Sequence, residues 1–311
     1  MKSINIGNNG FTASELILGC MRINKLNVDE AKHLITYAYE SGIDMFDHSD
    51  IYAGGLCEEL FGMALKELPN LREKIKIQSK CGIVHNGNGK IVAFDFSSEH
   101  IIKSVETSLK RMGIDYLDSL LLHRPDTLME PEEVAKAFDY LEEKGMVKNF
   151  GVSNQNPGQI ELLKTCVRQP LTMNQMQLSI TDCGMIAQGL NTNMSNKLSY
   201  MHDAGVLEYS RINKMTIQAW SPFQFGFFEG TFIDNPEFPE LNAKLQEIGD
   251  RFGVAKTAVA TAWILRHPAK MQVLVGTTNV RHLEEILGCQ KVELTREDWY
   301  DIYRSAGHTL P

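Results

Sequence analysis

Short apolar runs alternate with helix-period segments along almost the whole chain, and this alternation limits the fold more than any other feature. The runs cover residues 16–19, 43–47, 75–80, 117–123, 147–153, 173–177, 216–220 and 272–275. Their length suits strands rather than helices. Between 27 and 42, Ala31, Leu34, Ile35 and Ala38 recur at helical spacing, with Asn27 as N-cap, Asp29 and Glu30 in the first turn and Gly42 as the stop. Ile101, Val105, Leu109 and Met112 mark a second stripe between 97 and 113. Val134, Phe138 and Leu141 mark a third, which Pro131 opens and Gly145 ends. Strand followed by helix, repeated, builds parallel βα units. Eight such strands fit a closed (β/α)8 TIM barrel better than an open sheet. The 311 residues are expected to form one domain spanning 1–311, because barrels of roughly 250 residues commonly stand as one.

Three segments exceed a minimal barrel. Residues 2–14 hold an N-terminal β-hairpin candidate whose Asn-Gly pair suits a two-residue loop, and which is placed to plug the N-terminal end of the barrel. Residues 83–96 form an insertion after the third strand, and residues 178–201 form a long Asn-, Met- and Gly-rich stretch. These last two are inserted loops at the C-terminal face, where barrel active sites are built. The formal net charge of −8 implies no basic surface for nucleic acid. No apolar run approaches the ~20 residues needed to cross a bilayer, and MKSINIGNNG lacks the apolar region of an export signal. The six cysteines include no C-x-x-C pair and read as reduced thiols of a cytoplasmic protein. Cys57 and Cys81 fall near the candidate site, where small apolar filler is the simpler reading.

Four side chains sit at or just past the ends of the second, third and fourth runs: Asp47 and Tyr52 in FDHSDIY, Lys80 in IKIQSK and His123 in LLLH. Parallel neighbouring strands bring all four to one rim. Taken singly, each has an ordinary explanation as packing or solvated surface. Together they make a proton donor for a carbonyl oxygen that gains negative charge. A free phenol near pKa ~10 is a reluctant acid at neutral pH. A lysine at about 4 Å supplies at most ~4 kcal/mol of attraction for the phenolate at an effective dielectric of about 20, before desolvation opposes it. Asp47 then keeps Lys80 charged and aimed, and His123 either holds the carbonyl oxygen or relays a proton.

The motifs that carry these residues resemble those of the aldo/keto reductase family. FDHSDIYAGGLCEELFG resembles the family's Asp-x4-Tyr segment, and MGIDYLDSLLLHRPD resembles the helix-to-strand signature that ends in the catalytic histidine. KGMVKNFGVSN resembles the fifth-strand segment, and VGTTNVRHLEEIL the cofactor segment near the C-terminus. The HRPD form and the compact tail point to a bacterial NADP-dependent branch. The resemblance runs in order from about Leu16 to Trp299. It implies a barrel that binds an extended nicotinamide cofactor without a Gly-rich Rossmann loop. The chain indeed has no G-x-G-x-x-G after a strand.

Carried over by position, the resemblance makes Asp47, Tyr52, Lys80 and His123 the catalytic tetrad, with Tyr52 as general acid. It assigns Ser153, Asn154 and Gln175 to the nicotinamide carboxamide and Trp220 to ring stacking. The alternative for Trp220 is a plain core aromatic. Met21 and Arg22 then lie near the ribose or pyrophosphate, Ser221, Pro222 and Phe223 continue along the pyrophosphate, and Gly276, Thr277, Thr278, His282, Glu285 and Ile286 line the adenosine end. In one respect the chain departs from the family. Much of the family has a lysine near the start of the Gly276 segment and an arginine where His282 stands. Thr277, Thr278 and helix N–H groups can still take a phosphate, so NADPH is preferred over NADH, with a weaker preference than usual.

The expected partner is a small aldehyde or ketone, with neither nucleic acid nor membrane. Phe225, Phe227 and Phe228 either wall the substrate pocket or pack internally. Two other functions compete. One is a binding or regulatory protein that keeps the barrel and the cofactor, against which the complete tetrad argues. The other is a metal-dependent hydrolase, which would want clustered ligands such as H-x-H after the first strand; the chain has GCMRIN there. Oligomeric state and the physiological substrate are not encoded in any motif.

Overall fold

The eight apolar runs pair as a closed, all-parallel barrel. The structure is a computed structural model that describes residues 1–86 and 89–311. A hairpin, β1 (Ser3–Ile6) and β2 (Phe11–Ser14), precedes the barrel strand β3 (Leu16–Gly19). The barrel continues through β4 (Met45–Asp47) and β5 (Lys76–Cys81). A second hairpin, β6 (Ile83–His85) with β7 (Ile91–Phe94), follows. Barrel strands β8 (Ser119–Leu122), β9 (Phe150–Ser153), β10 (Leu171–Gln177) and β11 (Thr216–Trp220) come next. A small ribbon, β12 (Gln224–Phe225) with β13 (Gly230–Thr231), precedes the closing strand β14 (Gln272–Val275). The strand order is β10-β11-β14-β3-β4-β5-β8-β9, which is sequential around the ring.

The helices form where the apolar stripes predict them. Helix α1 (Val28–Glu40) starts with a full capping box between Asn27 and Glu30, and it buries Ala31, Leu34, Ile35 and Ala38. Next come α2 (Leu56–Lys66) and α3 (Ser98–Met112), the latter ended by left-handed Gly113. Helix α4 (Pro131–Glu143) has its proline in the first turn and buries Val134, Phe138 and Leu141. Later helices are α5 (Pro157–Lys164), α6 (Gly184–Leu190), α7 (Val206–Ile212), α8 (Pro239–Phe252), α9 (Lys256–Leu265), α10 (Val280–Leu287) and α11 (Arg296–Ser305). Outward-facing strand residues such as Leu18, Phe46, Ile77, Leu122 and Val152 join the helices in one continuous core.

The N-terminal hairpin closes the bottom of the barrel. Ile6 and Ala13 pack with the inward residues Ile17, Met45, Leu121, Met173 and Leu274. The predicted two-residue turn is not what forms. Ile6 pairs with Phe11, so the loop holds four residues, 7–10. Gly7 (φ 60°), Asn8 (φ 56°) and Gly10 (φ 89°) take left-handed conformations. Gly7 sits so close to Thr172 that a Cβ there would lie 2.5 Å from it, and docking onto the barrel therefore sets the turn. The insertion at 83–96 is the β6–β7 hairpin, with residues 87 and 88 outside the described residues. The stretch 178–201 holds helix α6, which its weak periodicity did not predict.

His48 illustrates a cost built into the outer core. Its ring is fully buried, meets Phe61 edge-on at 4.4 Å, and neither ring nitrogen has a partner. Burial, aided by the charge of Lys80, pushes its pKa down to about 3. The unfolded chain therefore binds a proton below its ordinary pKa of ~6.5 that the folded chain refuses. Stability from this residue is complete above that value and falls as pH drops toward 3. At pH 5 the loss is about 2 kcal/mol. Urea midpoints at pH 7 and pH 5 should show a drop in the wild type that His48→Phe reduces by about that amount. An equal drop in both proteins would remove His48 from the acid response.

Candidate active site

Asp47 ends β4, Lys80 is the fifth residue of β5, His123 follows β8 by one residue, and Tyr52 opens a short 3-10 turn after β4. All four meet at the C-terminal rim. Lys80 Nζ lies 2.7 Å from Asp47 Oδ2, 2.7 Å from the His48 carbonyl oxygen and 2.9 Å from Tyr52 Oη. An ammonium has three N–H donors and no acceptor. All three are spent, and the phenol must receive one of them. The phenol's own proton is thereby directed away from Lys80.

The electrostatics follow from burial. Lys80 is almost fully buried, which disfavours its charge. Asp47 and Tyr52 outweigh that penalty and hold the ammonium above its ordinary pKa. Tyr52 is raised: burial dominates, Lys80 opposes it, and Asp47 adds to it. The sequence-based expectation of a phenol acidified by lysine is thus reversed here, because the same rim that brings Lys80 close also removes water. The phenol keeps its proton. His123 is held well below the ordinary histidine range by burial first and by the charges of Lys80 and Arg124 next, so its ring is neutral. Its ring stands edge-on to Tyr52 at 6.0 Å. Cys57 and Cys81 are buried with raised pKa values, dominated by burial, as fits inert filler.

Asp47 is held from below by Gln78, which was not singled out in the sequence, and by Gln175, which the resemblance assigns to the nicotinamide carboxamide. Its Oδ1 accepts from Gln78 Nε2 at 2.6 Å and from Gln175 Nε2 at 2.9 Å. Gln78 and Gln175 both also donate to Gln218 Oε1, Gln218 donates to Gln272 Oε1, and Gln272 donates to the Ser14 carbonyl oxygen. A chain of buried amides therefore runs through the barrel from the rim to the N-terminal hairpin. Each glutamine is buried on a barrel strand, and a long polar side chain at such a position was the available signal.

Ser153, Asn154, Gln175 and Trp220 also reach the rim, but they hold one another. Ser153 Oγ donates to the Gln175 carbonyl oxygen at 2.9 Å and accepts from Asn154 Nδ2 at 2.8 Å. Trp220 Nε1 donates to Asn154 Oδ1 at 3.1 Å. The amide nitrogen of Gln175 is committed to Asp47 and Gln218, which leaves its carbonyl oxygen. Trp220 is only partly buried. Arg124 stands over its ring at 5.6 Å and Phe228 lies nearly parallel at 6.0 Å. Phe227 and Phe228 are exposed beside Trp220, whereas Phe225 packs against Phe238 at 5.1 Å. Two of the three phenylalanines therefore wall the cleft and one packs internally. Ala53 (φ 50°), Asn154 (φ 56°) and Ser221 (φ 53°) are left-handed. Each directly follows Tyr52, Ser153 or Trp220, so three strained backbone positions adjoin site residues at this rim.

Ser221 and Phe223 are partly buried and Pro222 is buried as the chain leaves β11. Met21 is exposed just past β3. Arg22 brings Nη1 to 3.8 Å from where a Cβ on Gly276 would stand. Thr277 and Thr278 follow, and Asn279 caps α10 by accepting from Arg281 N. His282 is exposed on the first turn, and Glu285 faces Arg281 Nε at 3.6 Å. Ile286 departs from expectation. It is 3% exposed and packs into the core beneath α10, because it follows Leu283 by three residues on the apolar face.

An eight-stranded parallel barrel with its polar cluster at the C-terminal rim defines a (β/α)8 enzyme. The aldo/keto reductase family model matches residues 15–306. A 6-dehydroglucose reductase from Agrobacterium fabrum is 35% identical over 301 residues, covering 94% of each chain. The oxidoreductase YcsN of Bacillus subtilis is 34% identical over 307 residues, covering 96% of each. Among solved structures, the glycerol dehydrogenase AKR11B4 from Gluconobacter oxydans shares the fold, with a TM-score of 0.79 at 21% identity over 99% of this chain and 96% of that one. The chain belongs to the aldo/keto reductase family. It is an oxidoreductase of that family, whose general activity is carbonyl reduction with a nicotinamide cofactor. None of its helices is long and apolar enough to cross a membrane, among the described residues.

Proposed function

We propose that this protein reduces aldehyde or ketone carbonyls to alcohols with NADPH, and that Tyr52 is the general acid. The observation that carries the reading is the triple commitment of Lys80 Nζ to Asp47, the His48 carbonyl and Tyr52. It leaves a protonated phenol facing the cleft, with a cation 2.9 Å behind its oxygen. As the phenol gives up its proton to the substrate oxygen, Lys80 stabilises the phenolate that forms. Asp47 keeps Lys80 charged, and the glutamines below fix Asp47. His123, being neutral, offers its Nε2 to the substrate oxygen. Phe227 and Phe228 exclude water from the reacting oxygen.

The rim suits a nicotinamide dinucleotide. The indole of Trp220 presents a flat apolar surface, and Ser153, Asn154 and the carbonyl of Gln175 retain lone pairs for a carboxamide N–H. Ser221 and Phe223 follow Trp220 toward Arg22 and Gly276, and Thr277, Thr278, His282 and Glu285 stand at the far end. When bound, the nicotinamide supplies the hydride. NADPH is favoured because Arg22 reaches Gly276 and the first N–H groups of α10 lie alongside. The test is NADPH and NADH oxidation, in parallel, with a panel of aldehydes and ketones. 6-Dehydroglucose belongs in the panel because two relatives carry it in their names. The expected result is turnover that is faster with NADPH. No oxidation of either cofactor by any carbonyl would remove the reading.

Trp220→Ala is expected to weaken NADPH binding by about 2–13-fold, given ~0.5–1.5 kcal/mol for an aromatic pair beyond its buried area. Its urea midpoint should change little, since the ring is partly exposed. Quenching of tryptophan fluorescence by NADPH should shrink as well. Wild-type affinity in a clearly destabilised variant would make Trp220 a core residue.

A further inference from the structure

Behind His123 lies a second polar chain that the chemistry above does not use. Ser49 Oγ is 3.0 Å from His123 Nδ1 and 3.2 Å from Asp50 Oδ1, and the Lys80 carbonyl oxygen stands at 3.4 Å. Ser49 is 0% exposed, so its hydroxyl must choose among these three. A hydroxyl has one proton to give and lone pairs to accept with. If Asp50 is ionised, the hydroxyl donates to Asp50 or to the Lys80 carbonyl, and it accepts from Nδ1–H. The ring's other nitrogen, Nε2, is then bare. If Asp50 is protonated, Asp50 donates to Ser49, Ser49 donates to Nδ1, and Nε2 carries the proton.

We infer that Asp50 and Ser49 are positioning residues that set the tautomer of His123, and through it whether the site receives a carbonyl or an alcohol. Nε2–H donates to a carbonyl oxygen, and bare Nε2 accepts from an alcohol hydroxyl. The inference rests on the reading of His123 as the residue that meets the substrate oxygen. The proton balance closes without any other reagent. One proton enters from solvent at Nε2, the Nδ1 proton passes to Ser49, and the Ser49 proton passes to Asp50. The ring gains no net charge. The reverse sequence releases one proton.

The surroundings favour such a relay. Facing Asp50 are Glu58 from α2, Arg111 and Ser104 from α3, and Cys81 from β5. Arg111 divides its Nη1 between the Asp50 carbonyl oxygen at 2.8 Å and Glu58 Oε2 at 3.1 Å, so its charge does not belong to the Asp50 carboxylate alone. Burial first, and Glu58 next, push the Asp50 carboxyl up to about 7. Both of its states are thus populated near neutrality. Facing His123 are Lys80 and Arg124, whose charges oppose an imidazolium, and the edge of Tyr52. His123 therefore responds by exchanging tautomers rather than by charging.

The test is long-range ¹H–¹⁵N correlation on the full chain with labelled histidine, from about pH 5.5 to about 8.5, with His123 assigned by its loss in His123→Asn. The wild type should carry its ring proton on Nε2 at the acid end and on Nδ1 at the alkaline end, with the change centred near 7. Asp50→Asn should keep one tautomer throughout, and Ser49→Ala should uncouple the ring from this titration. A single His123 tautomer across the range in the wild type, or an unchanged titration in Asp50→Asn, would overturn the relay. Tyr52→Phe separates this inference from the proposed function. It should keep the tautomer titration while losing turnover; if it kept turnover, the catalytic reading would fail and the spectra would still decide the relay.

Discussion

Tyr52→Phe is expected to lower kcat for carbonyl reduction by about 10²–10⁴-fold, the usual scale of a lost general acid. The cofactor should still bind, because the phenyl ring keeps the packing and only the donated proton is gone. The ring is partly buried and its hydroxyl touches Lys80 at 2.9 Å, so a small stability change accompanies the substitution. The loss should appear in kcat and kcat/KM alike, as for an interaction made only in the transition state. Steady-state rates with the best carbonyl of the panel, beside an NADPH titration, give the comparison. Activity within threefold of wild type would exclude Tyr52 as the acid.

Lys80→Met should be as damaging to turnover, and more damaging to the fold. The phenol loses the cation that lowers its pKa against burial, so the pH at which activity falls on the alkaline side should move upward. The fold suffers because Asp47, 1% exposed, loses its ion-pair partner. Breaking a buried pair from one side costs about 3–5 kcal/mol. Gln78 and Gln175 still donate to Asp47 Oδ1, which places the expected loss at the lower end of that range. Removing the charge as well, in Asp47→Asn with Lys80→Met, should recover part of the urea midpoint and none of the rate. A normal rate and an unmoved alkaline limb in Lys80→Met would make Lys80 structural.

The barrel was legible because a βα repeat writes its period into the chain. Strands 216–220 and 272–275 and the buried face of α1 fall where the apolar spacing puts them. The rim tetrad was legible because parallel strands bring their ends together, so order along the chain became proximity in space. What escaped was whatever depends on several elements at once. The four-residue hairpin turn is set by contact with Thr172, far away in sequence. The pKa of Tyr52 depends on how much water the rim excludes, which no motif states. Ile286 was placed with its neighbours in a cofactor segment, although helical spacing from Leu283 turns it to the core. Gln78 and the Ser49–Asp50 pair lie inside motifs read for other residues, Gln218 and Gln272 lie in runs read only for their apolar pattern, and Gln175 was read for the carboxamide rather than for Asp47. Gln78 stands two residues before Lys80, at the same inward parity. A polar residue at an inward barrel position could have been singled out on that ground alone.

The rim is proposed to carry out hydride reduction of a carbonyl with a proton supplied from its own side chains. The most direct test gives the wild-type enzyme NADPH deuterated at the reactive nicotinamide carbon together with the best aldehyde of the panel, and locates the label in the alcohol formed. One deuterium is expected on the carbinol carbon of the product, with no label transfer in Tyr52→Phe on the same timescale. Alcohol that carries no deuterium at carbon, or labelled alcohol formed equally fast by Tyr52→Phe, would contradict it.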